Sequence, residues 1–538
     1  MITKNDPLSQ IAVESLTKSK VLIVIPADID DPYLRFVGRL IIQALQEDSQ
    51  IDIVIMKNVS STSRKIVFQF FLKKYKLERF KILQNHFSNL DHNKVTFTFS
   101  GICNFQYSLL FWKNLSYLKE NLISSEVLYN SVRSVLATNF TFTAKSDYRI
   151  FGYWRKINSL ITDYKSAYRI TSEKLQASPI DTVIFFNGRA PSQAAIREAA
   201  DERNIKILAL ETGAPHCLRW HLNNFQVQEI EKLQAMFLES RKNFSKNDST
   251  QAVDFANKWL TSQSGDKSVN RFLEPGISQV DFEINHLKRL KLATLFTSCT
   301  EEEIYNLGEN KNSWESQIDA IVKSANYLKS LEYEVVVRIH PNASNKAFVD
   351  LFQMVSKLNN SGIRYYLPWD TISSYELLES SSLVGTWEST IGLESAARGI
   401  PTFVLGLSRY TLAAGICSVN PTELSLLRDI KNFSTDVQAA KITIFQLMNF
   451  GTGFNFHENN PEVRAFDESL TLLSRKYYRW ILVSRALRKI LRIFTNFNFL
   501  RRGRFVTITN LSGPLILIFG RRVTFKLLSN FFRYSFPK

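Results

Sequence analysis

The chain has 538 residues, 45% of them hydrophobic, with forty Phe, nineteen Tyr and a net charge of +17. So much apolar and aromatic side chain excludes a largely disordered protein and suffices for two to four packed domains. The charge is not spread evenly: Ser469 to Lys538 holds fifteen Lys or Arg and no Asp or Glu, which leaves the first 468 residues nearly neutral.

From the amino terminus, Val21 to Ile25 followed by Pro26 predicts a first strand, too short for the apolar core of a leader, and no uninterrupted apolar run reaches the ~18 residues of a membrane span. A helix over about Tyr33 to Gln46 and a strand over Ile51 to Met56 follow; such alternation predicts βαβ units and a parallel sheet. Residues 60–77 predict a helix with a basic face (Arg64, Lys65, Lys73, Lys74, Lys76), and Val95 to Ser100 alternates as a strand. From Ile102 to Leu175 the pattern is aromatic and mostly helical, without an assigned topology. The βα pattern returns at Thr182 to Phe186, which runs into the polar corner Asn187-Gly188-Arg189. A helix from Ser192 to Arg203 then leads to the strand Ile205 to Leu210, ending in Glu211-Thr212-Gly213. Val227 to Leu260 predicts one or two long helices. The polar stretch Thr261 to Pro275 predicts a linker, with a domain boundary near residue 270.

Leu292 to Thr297 starts a second sheet, and its loop carries the capping-box pattern Thr300-x-x-Glu303. A helix over about Trp314 to Leu331 feeds the β-branched run Val335 to Val337, which reads as a parallel strand buried on both faces. Arg338 and His340 follow at its end, two residues apart on an extended chain and so on one side; Pro341 stops the strand. A second strand, Ser382 to Gly385, runs into the polar corner Thr386-Trp387-Glu388-Ser389-Thr390. A helix through Arg398, the turn Gly399-Ile400-Pro401 and the strand Thr402 to Leu405 complete the plan. Ligands of open α/β sheets bind beyond the carboxyl ends of strands. A helix start there offers unpaired N–H groups and a positive dipole end to a phosphate, Ser389 and Thr390 add hydroxyls, and His340 can offset charge on a leaving phosphate. The four cysteines, Cys103, Cys217, Cys299 and Cys417, are widely spaced with no CxxC pair, which points away from zinc modules and disulfides and toward a reducing cytosol.

Arg338-x-His340-Pro341, then Ser389-Thr390 with the helix to Glu394 and the Gly399-x-Pro401 turn, resemble GT-B glycosyltransferases of bacterial capsule and surface polysaccharide synthesis. The likeness is to the branch with an HP motif and a Ser-Ser/Thr motif, which includes sialyl- and Kdo-transferases; the acidic Asp/Glu-Asp/Glu-Gly motif of sialyltransferases is absent. Asn187-Gly188-Arg189 and Glu211-x-Gly213 also resemble elements of capsule-synthesis proteins. The resemblance implies an α/β fold of two Rossmann-like domains facing a central crevice: an acceptor domain over 1–270, a nucleotide-sugar donor domain over 271–468, and a basic amphipathic helical tail over 469–538. It implies that Arg338, His340, Ser389 and Thr390 bind the donor phosphate, that Glu394 holds the ribose, and that no metal or other cofactor is needed, with a CMP-activated sugar as one form of the donor. Inverting transfer needs a base for the acceptor hydroxyl; Glu211 is the candidate, with Asn187, Gly188 and Arg189 binding acceptor or phosphate.

Each of these residues has a plainer reading. His340 can be a strand-end histidine satisfied by backbone, Ser389 and Thr390 ordinary helix caps, and Glu394 a solvent-facing helix residue. Asn187-Gly188-Arg189 can be only a tight turn, and Glu211 the partner of a local arginine. In the tail, Tyr477, Tyr478, Trp480, Ile481, Leu482, Leu487, Ile490, Leu491, Ile493 and Phe494 interleave with cations. That composition suits an anionic lipid headgroup boundary, and its plainer reading is a helical cap on the first domain. Together these features predict a cytoplasmic glycosyltransferase, peripheral to the inner membrane, acting on a nucleotide-sugar and a polysaccharide or lipid-linked glycan. The alternatives are a non-catalytic basic protein that binds membrane or nucleic acid, and a sugar-nucleotide epimerase on the same fold. Nucleic acid is not an expected partner, because no RRM, KH or helix-turn-helix signature accompanies the charge.

Overall fold

The computed structural model describes residues 19–26, 31–46, 48–57, 67–88, 94–101, 127–128, 131–132, 135, 153–212, 220–223, 230–265, 287, 289–298, 314–341, 348–368, 370, 372–405, 408–429, 436–449, 452–453, 461–462 and 464–477. The chain forms two compact units, the first made of residues 1–227 and 449–489, the second of 228–448 and 490–538. The expected boundary near residue 270, the Thr300 to Glu303 pattern and the tail beyond 477 lie outside the described residues.

The first unit contains β1 (Lys20–Pro26), α1 (Asp31–Gln46), β2 (Gln50–Lys57), α2 (Val67–Ser88), β3 (Val95–Gly101), α3 (Tyr153–Ala177), β4 (Thr182–Phe186), α4 (Pro191–Asp201), β5 (Lys206–Thr212) and β6 (Trp220–Asn223). Val21 to Ile25 of β1 is fully buried because both faces of the strand are covered. Val21, Ile23 and Ile25 pack with Leu34, Leu40, Phe80 and Phe87 of α1 and α2, whereas Leu22 and Val24 pack with Leu160, Tyr164 and Ile196 of α3 and α4.

The second unit contains α5 (Ile230–Lys242), α6 (Lys246–Gly265), β7 (Leu292–Phe296), α7 (Gln317–Ser330), β8 (Glu334–Arg338), α8 (Phe348–Asn360), β9 (Arg364–Tyr366), α9 (Ser374–Ser380), β10 (Leu383–Thr386), α10 (Ile391–Ala397), β11 (Thr402–Val404), β12 (Cys417–Ser418) and α11 (Val437–Asn449). Helix α5 belongs here because Arg241 donates to Thr443 at 2.7 Å and Gln446 at 3.1 Å, while Gln446 donates back to the Phe237 carbonyl at 2.7 Å. The chain then re-enters the first unit, where β13 (Thr452–Gly453) pairs antiparallel with β6.

Strand order is β13-β6-β5-β4-β1-β2-β3 in the first sheet and β12-β11-β10-β7-β8-β9 in the second. Each sheet starts in its interior and adds two strands to one side; the first sheet then adds four to the other side and the second sheet three, the doubly wound order of a Rossmann-like unit. The α/β class with two mainly parallel sheets, antiparallel only at β5–β6 and β6–β13, is therefore as expected from the sequence. Both sheets reverse direction of growth at one point, between β1 and β4 in the first and between β7 and β10 in the second.

The helical residues 464–477 pack on the first unit. Phe466 lies over Gly38, where a Cβ would stand 2.3 Å from its ring. Asp467 pairs with Arg39 at 2.8 Å and accepts from Arg35 through its carbonyl at 2.8 Å. Tyr477 donates to Glu78 at 2.9 Å and stacks against Tyr75. Leu472 and Arg475 of this helix are exposed, and Lys476, also exposed, reaches Glu78 of α2 at 3.7 Å. Among the described residues no helix is long and apolar enough to cross a membrane.

Candidate functional site

The polar corner of the second unit is built at the point where its sheet reverses. Register places Phe296 of β7 beside Arg338 of β8 and Thr386 of β10, so the three strands end together. Beyond them, the His340 backbone N–H donates to Thr297 Oγ1 at 2.9 Å and the Ser298 N–H to Gln317 Oε1 at 2.8 Å. The Ser298 hydroxyl is buried and has no hydrogen-bond partner among the described residues. The pair Thr297-Ser298, unforeseen as site residues, thus stands between the two expected walls of the corner.

Alternation puts Val336, Arg338 and His340 on one face of the sheet, opposite Val335, Val337 and Ile339. Arg338 is buried and donates to the Leu367 carbonyl, with Nε unpartnered. Burial brings its guanidinium down to about 10, partly offset by Asp370 and Tyr366, so it stays charged near neutrality. His340 is partly exposed. Burial, and then the Arg338 charge, push its imidazole down to about 4, which makes it neutral at pH 7. The Arg338 guanidinium therefore lies beneath the corner, turned inward to Leu367, and not on its surface.

The other wall is the β10 to α10 corner. Glu388 is held in the left-handed region, φ 53°, a conformation that costs a non-glycine residue energy and recurs where a corner is over-determined. The Ser389 N–H donates to Thr386 Oγ1 at 3.3 Å, and the Ser389 carbonyl accepts from Tyr410 Oη at 2.5 Å and from the Gly392 N–H at 3.1 Å. Gly392 lets α10 sit directly on this assembly: a Cβ there would lie 2.4 Å from Thr386 and 2.7 Å from Tyr410 Oη. Thr390 is the N-cap, exposed and without a side-chain cap bond. Glu394 is buried, not solvent-facing. Burial pushes its carboxyl up to about 7 against the Tyr375 hydroxyl and Arg398, and one carboxyl oxygen has no partner among the described residues. Thr390 and Glu394, four residues apart, are thus split between solvent and interior.

In the first unit, Asn187 and Gly188 leave β4 with φ 58° and 80°. Arg189 is partly exposed and its Nε donates to Asn187 Oδ1. Glu211 lies in β5 opposite His221, and its side chain falls outside the described residues, as does Gly213. Among the described residues no three His, Cys, Asp or Glu side chains converge as metal ligands would.

No protein-family model matches the chain, and no curated protein does. Solved structures do. The β-Kdo 2,4-transferase of Thermosulfurimonas dismutans KpsC is 14% identical, with 49% of this chain and 78% of that chain covered and a TM-score of 0.33. The β-Kdo 2,7-transferase of the same protein is 12% identical, covering 60% and 97%, TM-score 0.33. The UDP-GlcNAc 2-epimerase of Neisseria meningitidis, bound to UDP-GlcNAc, is 13% identical, covering 84% and 99%, TM-score 0.25. At these identities and scores the likenesses do not bear on activity, and the fold assignment stands on the strand orders above.

Proposed function

We propose that the chain is a GT-B glycosyltransferase that moves a sugar from a nucleotide-sugar to a capsular or other surface polysaccharide or glycolipid at the inner face of the membrane. The observation that carries this reading is the second unit's corner, where His340, Ser298, Ser389 and Glu394 gather at the ends of three parallel strands over a buried, charged Arg338. The second unit takes the donor and the first the acceptor. A neutral His340 donates one N–H to the donor phosphate, and the charge arriving with that phosphate raises its pKa toward protonation. As the acceptor oxygen attacks the anomeric carbon, the bond from that carbon to the phosphate oxygen breaks. The acceptor proton passes to Glu211, and the negative charge on the leaving phosphate is stabilised by His340, with Ser389, Thr390 and the Arg338 charge behind them. Glu394 accepts from a ribose hydroxyl. The basic stretch 469–538 attaches the enzyme to anionic lipid, with Leu472 and Arg475 as its first exposed residues.

A thermal-shift screen against CMP, CDP, UDP, GDP and ADP, with and without Mg²⁺, tests the reading. A ligand at a hundred times its Kd stabilises the native state by about 2.7 kcal/mol. One nucleotide should raise the melting temperature, and His340→Ala should abolish that rise. A folded wild-type chain that responds to no nucleotide overturns the reading. Turnover of the responding nucleotide's sugar without any acceptor would favour an epimerase.

A further inference from the structure

The first sheet opens where it reverses. The β1–β4 ladder ends at Ile23 beside Ile184, yet β4 continues along β5 to Phe186 beside Leu210. The Asn187 N–H donates to the Leu210 carbonyl at 2.7 Å. N–H groups alternate sides along a strand, so the Phe186 N–H faces the other way, into the split between β4 and β1. It finds its acceptor in Gln193 Oε1 at 3.0 Å, which places the Gln193 carboxamide in that split. Gln193 is only 2% exposed, and its Nε2 has no hydrogen-bond partner among the described residues. A buried amide donor left in that state carries a desolvation penalty that a ligand acceptor removes.

The groups around it are donors too. Helix α4 runs for 11 residues from Pro191, and its N-cap, Ala190, supplies no side-chain cap, so the positive end of the helix is left for a ligand. Arg189 adds a guanidinium whose Nε is tied to Asn187 Oδ1. Two side-chain acceptors among the described residues there are committed, Asn187 Oδ1 to Arg189 and Gln193 Oε1 to Phe186. A neutral sugar hydroxyl must donate as well as accept; an oxyanion only accepts.

We infer that the first unit holds its own oxyanion site, for a phosphate or carboxylate group, formed by Gln193 Nε2, Arg189 and the start of α4. In naming the bearer of that group as an acidic acceptor glycan, the inference rests on the glycosyltransferase reading; the site itself does not. Inorganic phosphate is the probe, titrated calorimetrically into the full-length His340→Ala chain at constant ionic strength, so that binding at the second unit is suppressed. Arg189→Gln, and separately Gln193→Glu, are then added to that background. Gln193→Glu keeps the oxygen that accepts from Phe186 but replaces the donor with an acceptor, and Arg189→Gln changes a partly exposed side chain, so at least one should fold. Each should weaken phosphate binding at least tenfold, and glucuronate should compete with phosphate where glucose does not. Phosphate binding without glucuronate competition keeps the site and assigns it to a phosphate group. No phosphate binding to the His340→Ala chain, unchanged binding in either folded variant, or equal competition by glucose overturns the inference. The nucleotide response of the wild type is independent of these results, so loss of one reading leaves the other standing.

Discussion

The two units use one plan for their polar corners and put it to different electrostatic use. In each, a glutamine from the first turn of a helix accepts the N–H at the end of the preceding strand, Gln193 from Phe186 and Gln317 from Ser298. In each, a non-glycine residue just past a strand next to the reversal point is left-handed, Asn187 and Glu388. The first unit keeps its cation, Arg189, partly exposed, whereas the second buries Arg338 and Glu394, sets His340 beside them, and displaces all three pKa values. The topology is shared, and burial of charge in only one copy shifts ionisation there, bringing the Glu394 carboxyl up to about 7 while taking His340 down to about 4 and Arg338 to about 10.

That contrast can be broken most directly at the ligand. His340→Ala should lower transfer by about 100-fold or more in kcat/KM, the scale of losing one preorganised group at a developing charge, while Arg189→Gln should act mainly on the acceptor KM. Equal kcat losses in steady-state kinetics would erase the distinction between the units.

Next in size is the pH response of the second corner. The Glu394 carboxyl is held at about 7 in the folded chain against 4.5 ordinarily, so the folded chain keeps a proton that the unfolded chain releases. The associated stability is complete below about 4.5 and is lost as pH rises through about 7. Glu394→Gln should remove this loss and gain roughly 3 kcal/mol at pH 8 relative to pH 4, read from urea midpoints. His340 has the opposite sign: held at about 4 against 6.5, it favours the folded chain above 6.5 and loses that contribution as pH falls through 4. Tyr410→Phe, which removes the hydroxyl from the Ser389 carbonyl, should cost about 1 kcal/mol and weaken donor binding several-fold in the same thermal-shift titration. The smallest effect concerns backbone strain. Glu388→Gly should stabilise by about 0.5 kcal/mol, whereas Asn187→Gly should not, because asparagine tolerates that conformation and its side chain holds Arg189.

Much of the architecture could be read from the chain because strands covered on both faces are unbroken aliphatic runs. Val21 to Ile25, Thr182 to Phe186, Leu292 to Phe296 and Val335 to Val337 are all such strands, and the abrupt change to polar residues marks their ends. The glutamines were hidden, since one polar residue in the first turn of a helix has no periodicity to reveal it. Tyr410 acts across 21 residues of sequence on Ser389, which local pattern cannot register. Strands β6 and β13 have four and two residues, too few to alternate. In the helix at 464–477, Phe466, Leu470, Leu473 and Tyr477 form an apolar stripe against the first unit, a signal masked by the cations that crowd the residues after it. The inward turn of the Arg338 guanidinium to Leu367 could not be read either, because in sequence a strand-end arginine shows no sign of which way its side chain runs.

The return of the chain to the first unit has a consequence for its biosynthesis. Phe466, Leu470 and the Asp467 partner of Arg39 are made only after about 220 residues of the second unit (228–448) have been added, which at 5–20 residues per second is roughly 10–45 s. For that interval the groove beside Gly38 on the nascent first unit stays open to water and to chaperones. Synthesis of residues 228–448 therefore comes before, and limits, closure of the first unit.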